Sequence, residues 1–335
     1  MTEKHYGGSS SFGFKEKPEK TKNSALEIKN KKQKKMEENE ESYMDEEKLV
    51  EAGKIAKQVR EYALSIAKKD MLLIELAEKI ESKVYELGAK PAFPVNLSID
   101  EIAAHDTPAH NDERKTHGLL KIDIGVHIDG FVADTAISVD LENSEINKKL
   151  IDTAKKCLES AKKTVSSKIS LGELGKNIEQ SAKEADLLTI RNLTGHLIEE
   201  YDLHAGVSIP NYDTKQEQEI GEGVYAIEPF VTNGQGLVKD SKPSGIYVVQ
   251  KPGNIRDNFA REVLSYILDE YVSLPFCSRW IVKKFGTRAL IALKQIENAG
   301  ILHQYAQLTE AGKGLVAQAE HTFIIKDNEV IITTD

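Results

Sequence analysis

A mixed α/β (α+β) fold is expected from three features of this 335-residue chain. From about Asp45 onward, apolar residues recur at the three- and four-residue steps of an amphipathic helix. An Asp129-Gly130 pair stands between two apolar runs, the strongest short signal for an antiparallel hairpin. Shorter strand-like runs then alternate with further helical segments. At roughly 150 residues per domain the length allows about two domains. The net charge of −9 argues against a chain that binds nucleic acid or anionic membrane over its whole surface. No apolar run approaches the roughly 20 residues of a membrane span. The polar N-terminus has no secretory h-region, so a cytoplasmic location is expected. Cys157 and Cys277 belong to no CxxC pair, so two free thiols are expected rather than a disulfide or a zinc finger.

The elements follow in order. Residues 1–43 hold ten Lys and eight Glu, a basic block followed by an acidic one, with few apolar residues. They read as a disordered charged tail, with tethering to a large anionic partner such as the ribosome as the alternative to a purely solvated leader. Residues 44–335 form the main domain, and Met44 offers an alternative start just before it. Leu49, Ala52, Ile55, Ala56, Val59, Ala63 and Ile66 mark the first helix, and a second spans Met71 to Leu87. A loop with Pro91, Pro94 and Pro108 follows. Within it Ser98-Ile-Asp-Glu101 has the form of a capping box, predicting a helical turn that leads to His105. Strands are expected at 119–127 and 131–139, and helices at about 145–163 and 171–185. Further strands are expected near 188–193, 203–208, 222–228 and 315–326. The stretch 231–310 reads as an insertion with helical patterns at about 256–272 and 287–299. Its ten basic and seven acidic residues make it mildly basic; the tail and insertion together carry +5, which leaves −14 on the remainder.

The hairpin carries the first chemical signal. A two-residue type I′ loop at Asp129-Gly130 sets Ile128 opposite Phe131 and therefore Asp123 opposite Ala136. Asp134 shares the face of Ala136. The two carboxylates are then diagonal neighbours with Cβ atoms roughly 7 Å apart, a spacing at which both can grip a common metal centre. Two carboxylates among apolar neighbours repel each other and resist desolvation without a cation. Spacing alone leaves open a metal site or two solvent-facing acids. Further acids stand in apolar strands: Glu228 in Tyr225-Ala-Ile-Glu-Pro-Phe230, and Glu320 in Val316-Ala-Gln-Ala-Glu-His-Thr-Phe323. In the latter, Ala317, Ala319, Phe323 and Ile325 read as the core face, with Gln318, Glu320 and Thr322 opposite. His196 and His204 lie nearby in sequence, and composition does not single out one of the nine histidines.

These residues carry a resemblance. Pro91-Ala-Phe-Pro-Val-Asn-Leu-Ser98, Ala103-Ala-His105, Lys121-Ile-Asp-Ile-Gly125, Asp129-Gly-Phe-Val-Ala-Asp-Thr135, Thr194-Gly-His196, Leu203-His-Ala-Gly206, Ala226-Ile-Glu-Pro-Phe230 and Gln318-Ala-Glu-His-Thr322 together make the chain resemble the type II methionine aminopeptidases of archaea and the eukaryotic cytosol. The match covers about nine-tenths of the chain, from Asp45 to Asp335. The 92 positions separating Glu228 from Glu320 fit the type II form, whose insertion resembles a winged-helix subdomain. The resemblance implies a pita-bread fold of two pseudo-symmetric halves around a two-metal site. It makes Asp123, Asp134, His196, Glu228 and Glu320 the metal ligands, with Asp134 and Glu320 bridging. Four carboxylates balance two divalent ions, and a carboxylate–imidazole set suits Co, Mn, Fe or Zn. The implied reaction is attack of an activated water on the carbonyl of the initiator methionine of nascent chains when the second residue is small. Glu228 would accept and relay the proton. His105 and His204 would flank the scissile bond. Phe93 and Leu203 would line the methionine pocket, with Tyr305 a weaker candidate. The resemblance also implies a monomer.

Two departures stand out. The family usually has an aromatic residue after Ala-Ala-His, whereas this chain has Asp106. The segment 109–119 differs from the usual loop and adds His110 and His117. Both are expected to alter the rim of the substrate cleft, with Asp106 changing the choice of second residue.

Overall fold

The computed structural model describes residues 44–335. The expected charged tail, 1–43, lies outside the described residues. The first half begins with helix α1 (Glu46–Ile66), whose first turn is capped by the Asp45 carboxylate accepting from the Lys48 amide. Helix α2 (Leu73–Glu86) follows. Then come strands β1 (Lys90–Pro91), β2 (Asn96–Ile99), β3 (Ile102–Ala104), β4 (Leu119–Ile128) and β5 (Phe131–Asp140). β4 is the hub: it pairs antiparallel with β1, β2 and β5. Leu120, Ile122, Ile124 and Val126 of β4 pack against the apolar faces of α1 and α2 in one core. Strand alternation therefore sends Asp123 and Gly125 to the other face of the sheet.

The second half repeats the plan. Helices α3 (Glu145–Thr164) and α4 (Leu171–Lys183) precede strands β6 (Leu188–Thr189), β7 (Thr194–Ile198), β8 (Ser208–Pro210), β9 (Gly223–Ile227) and β10 (Phe230–Thr232). The chain continues into β11 (Val238–Val249), α5 (Asn258–Glu270), β12 (Phe276–Cys277), α6 (Ser278–Phe285), α7 (Ala289–Asn298) and β13 (Leu302–Glu310). It returns as β14 (Val316–Gln318), β15 (His321–Lys326) and β16 (Glu329–Ile332). One antiparallel sheet runs in the order β16-β15-β9-β7-β8. Its inner side packs on α3 and α4 through Tyr225, Ile227, Phe323 and Ile325, and Ala317 of the neighbouring sheet β14-β10-β6 joins the same core. The elements between β11 and β13 have a core of their own around Val263, Ile267, Phe276, Ile281 and Leu293.

The two halves are joined along β5. The Thr322 hydroxyl donates to the Asp134 carbonyl (2.8 Å) and accepts from the Asp134 amide (2.7 Å). Thr135 donates to the Glu320 carbonyl, and Ser138 exchanges hydrogen bonds with the Gln318 backbone. A buried Arg279–Glu81 ion pair, reinforced by the Trp280 indole, ties α6 to α2.

The hairpin register is as expected, with Asp123 opposite Ala136 and positive φ at Asp129 (50°) and Gly130 (91°). Other expectations need correction. Ser98-Ile-Asp-Glu101 is no helical turn: Ser98 and Ile99 end β2, and Asp100, at φ 51°, turns the chain into β3. The Asp100 carboxylate accepts from the Leu119 amide, and its carbonyl receives the buried Lys121 ammonium, so pairing with β4 overrides the local cap. The strand expected near 203–208 lies at Ser208–Pro210, and 315–326 is two strands broken at Ala319-Glu320. The insertion holds a third helix, α6, and the long β11–β13 pair, which its mixed polar pattern conceals. Cys157 and Cys277 are both free and buried. Among the described residues no helix is long and apolar enough to cross a membrane.

Candidate metal centre and substrate cleft

The five residues singled out by sequence come together where the two sheets meet. β4 and β5 supply Asp123 and Asp134, β7 supplies His196, the end of β9 supplies Glu228, and the break before β15 supplies Glu320. Ligand atoms of Asp134, His196 and Glu320 all lie within 4.8 Å of one another. The His196 Nε2 is 3.8 Å from both Asp134 Oδ2 and Glu228 Oε1. Asp123 joins through the Gln318 carboxamide, which reaches Asp123 Oδ2 (3.4 Å) and Glu228 Oε2 (3.2 Å).

Four carboxylates packed this way are electrostatically expensive. Burial pushes the Asp123 carboxyl up to about 7, against a hydrogen bond from Gln318 that lowers it. Burial first, and neighbouring acids second, hold Asp134, Glu228 and Glu320 well above the ordinary carboxylate range. Burial together with His204 lowers the His196 imidazole to about 3, so its nitrogen stays a neutral donor atom. Asp123 Oδ1 and Asp134 Oδ1 are buried with no hydrogen-bond partner. Orphaned carboxylate oxygens beside a neutral imidazole fit divalent cations, and the oxygen–nitrogen set without thiolate matches the harder transition ions.

A network behind the cluster holds it in place. Arg60 of α1 donates to the Thr135 hydroxyl (2.5 Å) and to His321 Nδ1 (3.1 Å). His321 also meets the buried Thr334 hydroxyl, which accepts from the Thr322 amide. Thr334 thus braces the start of β15, directly after Glu320.

The acids open into a cavity of about 280 Å³. His105, His204, Phe93, Leu203 and Tyr305 all line it. His204 stands over His196, ring centroids 4.5 Å apart. His105 leans on Tyr305 (5.2 Å between centroids), and burial lowers its imidazole to about 4. Phe93 lies over Gly125, where an added Cβ would fall 2.3 Å from the ring. Glycine at that point lets an aromatic wall approach the strand bearing Asp123.

Gln318, which shares the face of Glu320 in the sequence pattern, sits among the carboxylates. Asn96, opposite Asp123 in the sheet, and Ile246 and Pro275 from the insertion line the cavity although the sequence did not single them out. The last two are brought there only by tertiary packing. The two departures from the family pattern do not reach the cleft. Asp106 is fully buried and turned away, and neither it, His110 nor His117 lines the cavity, which corrects the expectation of an altered rim.

The pattern of metallopeptidase family M24 matches residues 47–327. The methionine aminopeptidase of Pyrococcus abyssi is 48% identical over 297 residues, covering 87% of this chain and all of that protein. That of Methanocaldococcus jannaschii is 43% identical over 291 residues, covering 86% of this chain and 98% of that one. The chain belongs to metallopeptidase family M24, with the methionine aminopeptidases of the archaeal and eukaryotic type. Among solved structures, this M24 chain resembles a thermophilic Arx1 (TM-score 0.73, 16% identity, covering 87% of this chain and 91% of that one). It also resembles the methionine aminopeptidase of Thermotoga maritima (0.64, 20%, covering 88% and 99%) and the prolidase of Pyrococcus furiosus (0.56, 16%, covering 93% and 73%). These likenesses show the fold, the pita-bread arrangement of two helix-backed sheets.

Proposed function

We propose that this M24 aminopeptidase removes the initiator methionine from nascent chains and peptides, co-translationally and preferentially when the second residue is small. The observation that carries the reading is the convergence of the acid–imidazole cluster with an apolar wall of Phe93 and Leu203 in one cavity. Asp123, Asp134, His196, Glu228 and Glu320 would hold two divalent ions (Co, Mn, Fe or Zn). Such ions, when bound, polarise a carbonyl and lower the pKa of water toward about 7. Phe93 and Leu203 bury the methionine side chain, the apolar part of the substrate. Glu228 accepts a proton and passes it to the leaving amine. His204 stabilises negative charge developing on the substrate carbonyl oxygen, and His105, beside Tyr305, contacts the leaving-group side.

The insertion, 231–310, is read as a winged-helix-like subdomain within the catalytic domain 44–335. It closes one wall of the cleft through Ile246, Pro275 and Tyr305. Its basic surface, with the charged tail, is read as a ribosome contact, and the enzyme as a cytoplasmic monomer. Salt-dependent co-sedimentation with ribosomes tests the contact, and its absence at low salt refutes it.

The reaction is tested by methionine release from Met-Ala-Ser, using chelator-stripped protein with each metal restored and Glu320→Ala as control. Release that returns with metal and is absent in the variant is expected. Cleavage of proline-containing dipeptides instead would move the reading to the prolidase side of the family.

A further inference from the structure

His105 has a backbone φ of 61°, in the left-handed region that few residues with a Cβ adopt. The conformation turns His105 into the cleft and Asp106, the next residue, under the floor. Asp106 is fully buried, and its carboxylate is saturated. Arg114 grips it with a two-pronged fork, Nη1 to Oδ2 at 2.8 Å and Nη2 to Oδ1 at 3.0 Å. Gln307 Nε2 donates to Oδ1 at 2.6 Å. The Asp106 carbonyl accepts from the Leu97 amide. Arg114 is in turn gripped by Asp112 from the same loop.

β13 ties the two residues together. Tyr305 and Gln307 point to the same side of that strand. The His105 ring packs on Tyr305, and its Nδ1 lies 3.3 Å from the Ala306 carbonyl, while Asp106 is bonded to Gln307. His105 and Asp106 are thus both locked onto residues 305–307 of β13. A planar guanidinium fork holds a carboxylate with an orientation that a point charge does not impose. Asp106 and the divergent segment 109–119 are therefore two parts of one device.

We propose that Asp106, held by Arg114 and Gln307, is a positioning residue that fixes His105 against Tyr305 and so sets its reach toward the scissile bond. The catalytic half of this inference rests on the functional reading above; the geometric half does not. The loop reaches the chemistry through the backbone of His105 rather than by touching substrate.

The test combines Asp106→Asn, Arg114→Lys and His105→Ala in metal-loaded full-length protein. Asp106→Asn should lower kcat/KM for Met-Ala-Ser by roughly ten- to a hundredfold, the cost of a misplaced group. Arg114→Lys, which keeps the charge and loses the fork, should fall well short of wild type. In a His105→Ala background, Asp106→Asn should add less than about twofold, because the residue through which it acts is gone. Metal content should be unchanged. The His105 ring resonance, assigned by NMR, should move in Asp106→Asn while that of His204 stays. An equal loss in both backgrounds, a loss of metal, full activity in Arg114→Lys, or an unmoved His105 resonance would each overturn the proposal. Should wild type release no methionine, the functional reading fails, and the ring resonance alone decides whether Asp106 positions His105.

Discussion

Replacing Asp123 with asparagine should stabilise the metal-free protein while weakening its hold on metal. Burial lifts the folded Asp123 carboxyl from its ordinary 3.8 to about 7. That difference, at 1.36 kcal/mol per unit, costs the ionised folded state about 4 kcal/mol. Asp123 opens in part onto the cleft, where water screens it, so about 2–4 kcal/mol is expected. The folded pKa lies above the unfolded one, so the folded chain holds the proton more tightly. Stability from that proton is complete below pH 3.8 and is lost as pH rises through about 7. Asparagine carries no such proton. The stability gap between Asp123→Asn and wild type should therefore open from near zero at about pH 4 to its full size above about pH 7. Urea unfolding in excess chelator, from pH 4 to 8, reads it directly. With metal restored the order should reverse, since only wild type gains full binding energy. A chelated variant no more stable than wild type at pH 8 would refute the picture of desolvated, mutually repelling acids.

Other consequences follow from individual contacts. Gly125→Ala places a Cβ against the Phe93 ring, so it should raise KM for methionyl peptides severalfold with metal content intact; an unchanged KM would remove Phe93 from the pocket wall. Glu81→Ala leaves the buried Arg279 guanidinium without its carboxylate and should cost about 3–5 kcal/mol in urea unfolding, and a loss under about 1 would mean that water reaches the pair. Burial lowers His127 to about 4, and its Nδ1 accepts from the Gly130 amide. Because the unfolded chain takes up that proton first, near 6.5, the stability His127 contributes is complete above that pH and lost as pH falls toward 4. The melting-temperature advantage of wild type over His127→Gln, with metal bound, should narrow across that window; a constant advantage would mean that His127 is solvated.

Much of the metal centre was legible because its spacing is local. The Asp129-Gly130 turn admits one register, and that register places Asp123 and Asp134 on one face before any tertiary contact forms. Likewise, alternation in 316–325 separates the core face of Phe323 and Ile325 from the face of Gln318 and Glu320. The helices α1 to α4 were legible because each buries a single apolar stripe. What was illegible depends on partners distant in sequence. Asp100 abandons a capping box because Leu119 and Lys121 offer its carboxylate and carbonyl better-satisfied bonds. Insertion strand β11 is exposed over residues 239–243, and β13 is mostly half-buried with its polar side chains, so neither shows a clean apolar alternation.

The sequence by itself therefore determined the hairpin, its pair of carboxylates, the helices that back each sheet, and the likeness that points to Glu228 and Glu320. Only the tertiary structure decided that His196 and Glu228 meet Asp134, because β7, β9 and β5 come together through bonds between Thr322 and the Asp134 backbone. It alone decided where Asp106 goes. A lone acid after a histidine reads as a change to the rim, yet a buried carboxylate needs donors, and Arg114 and Gln307 supply them beneath the floor. Local pattern sets which faces exist; the demand that every buried charge find a partner sets which faces meet.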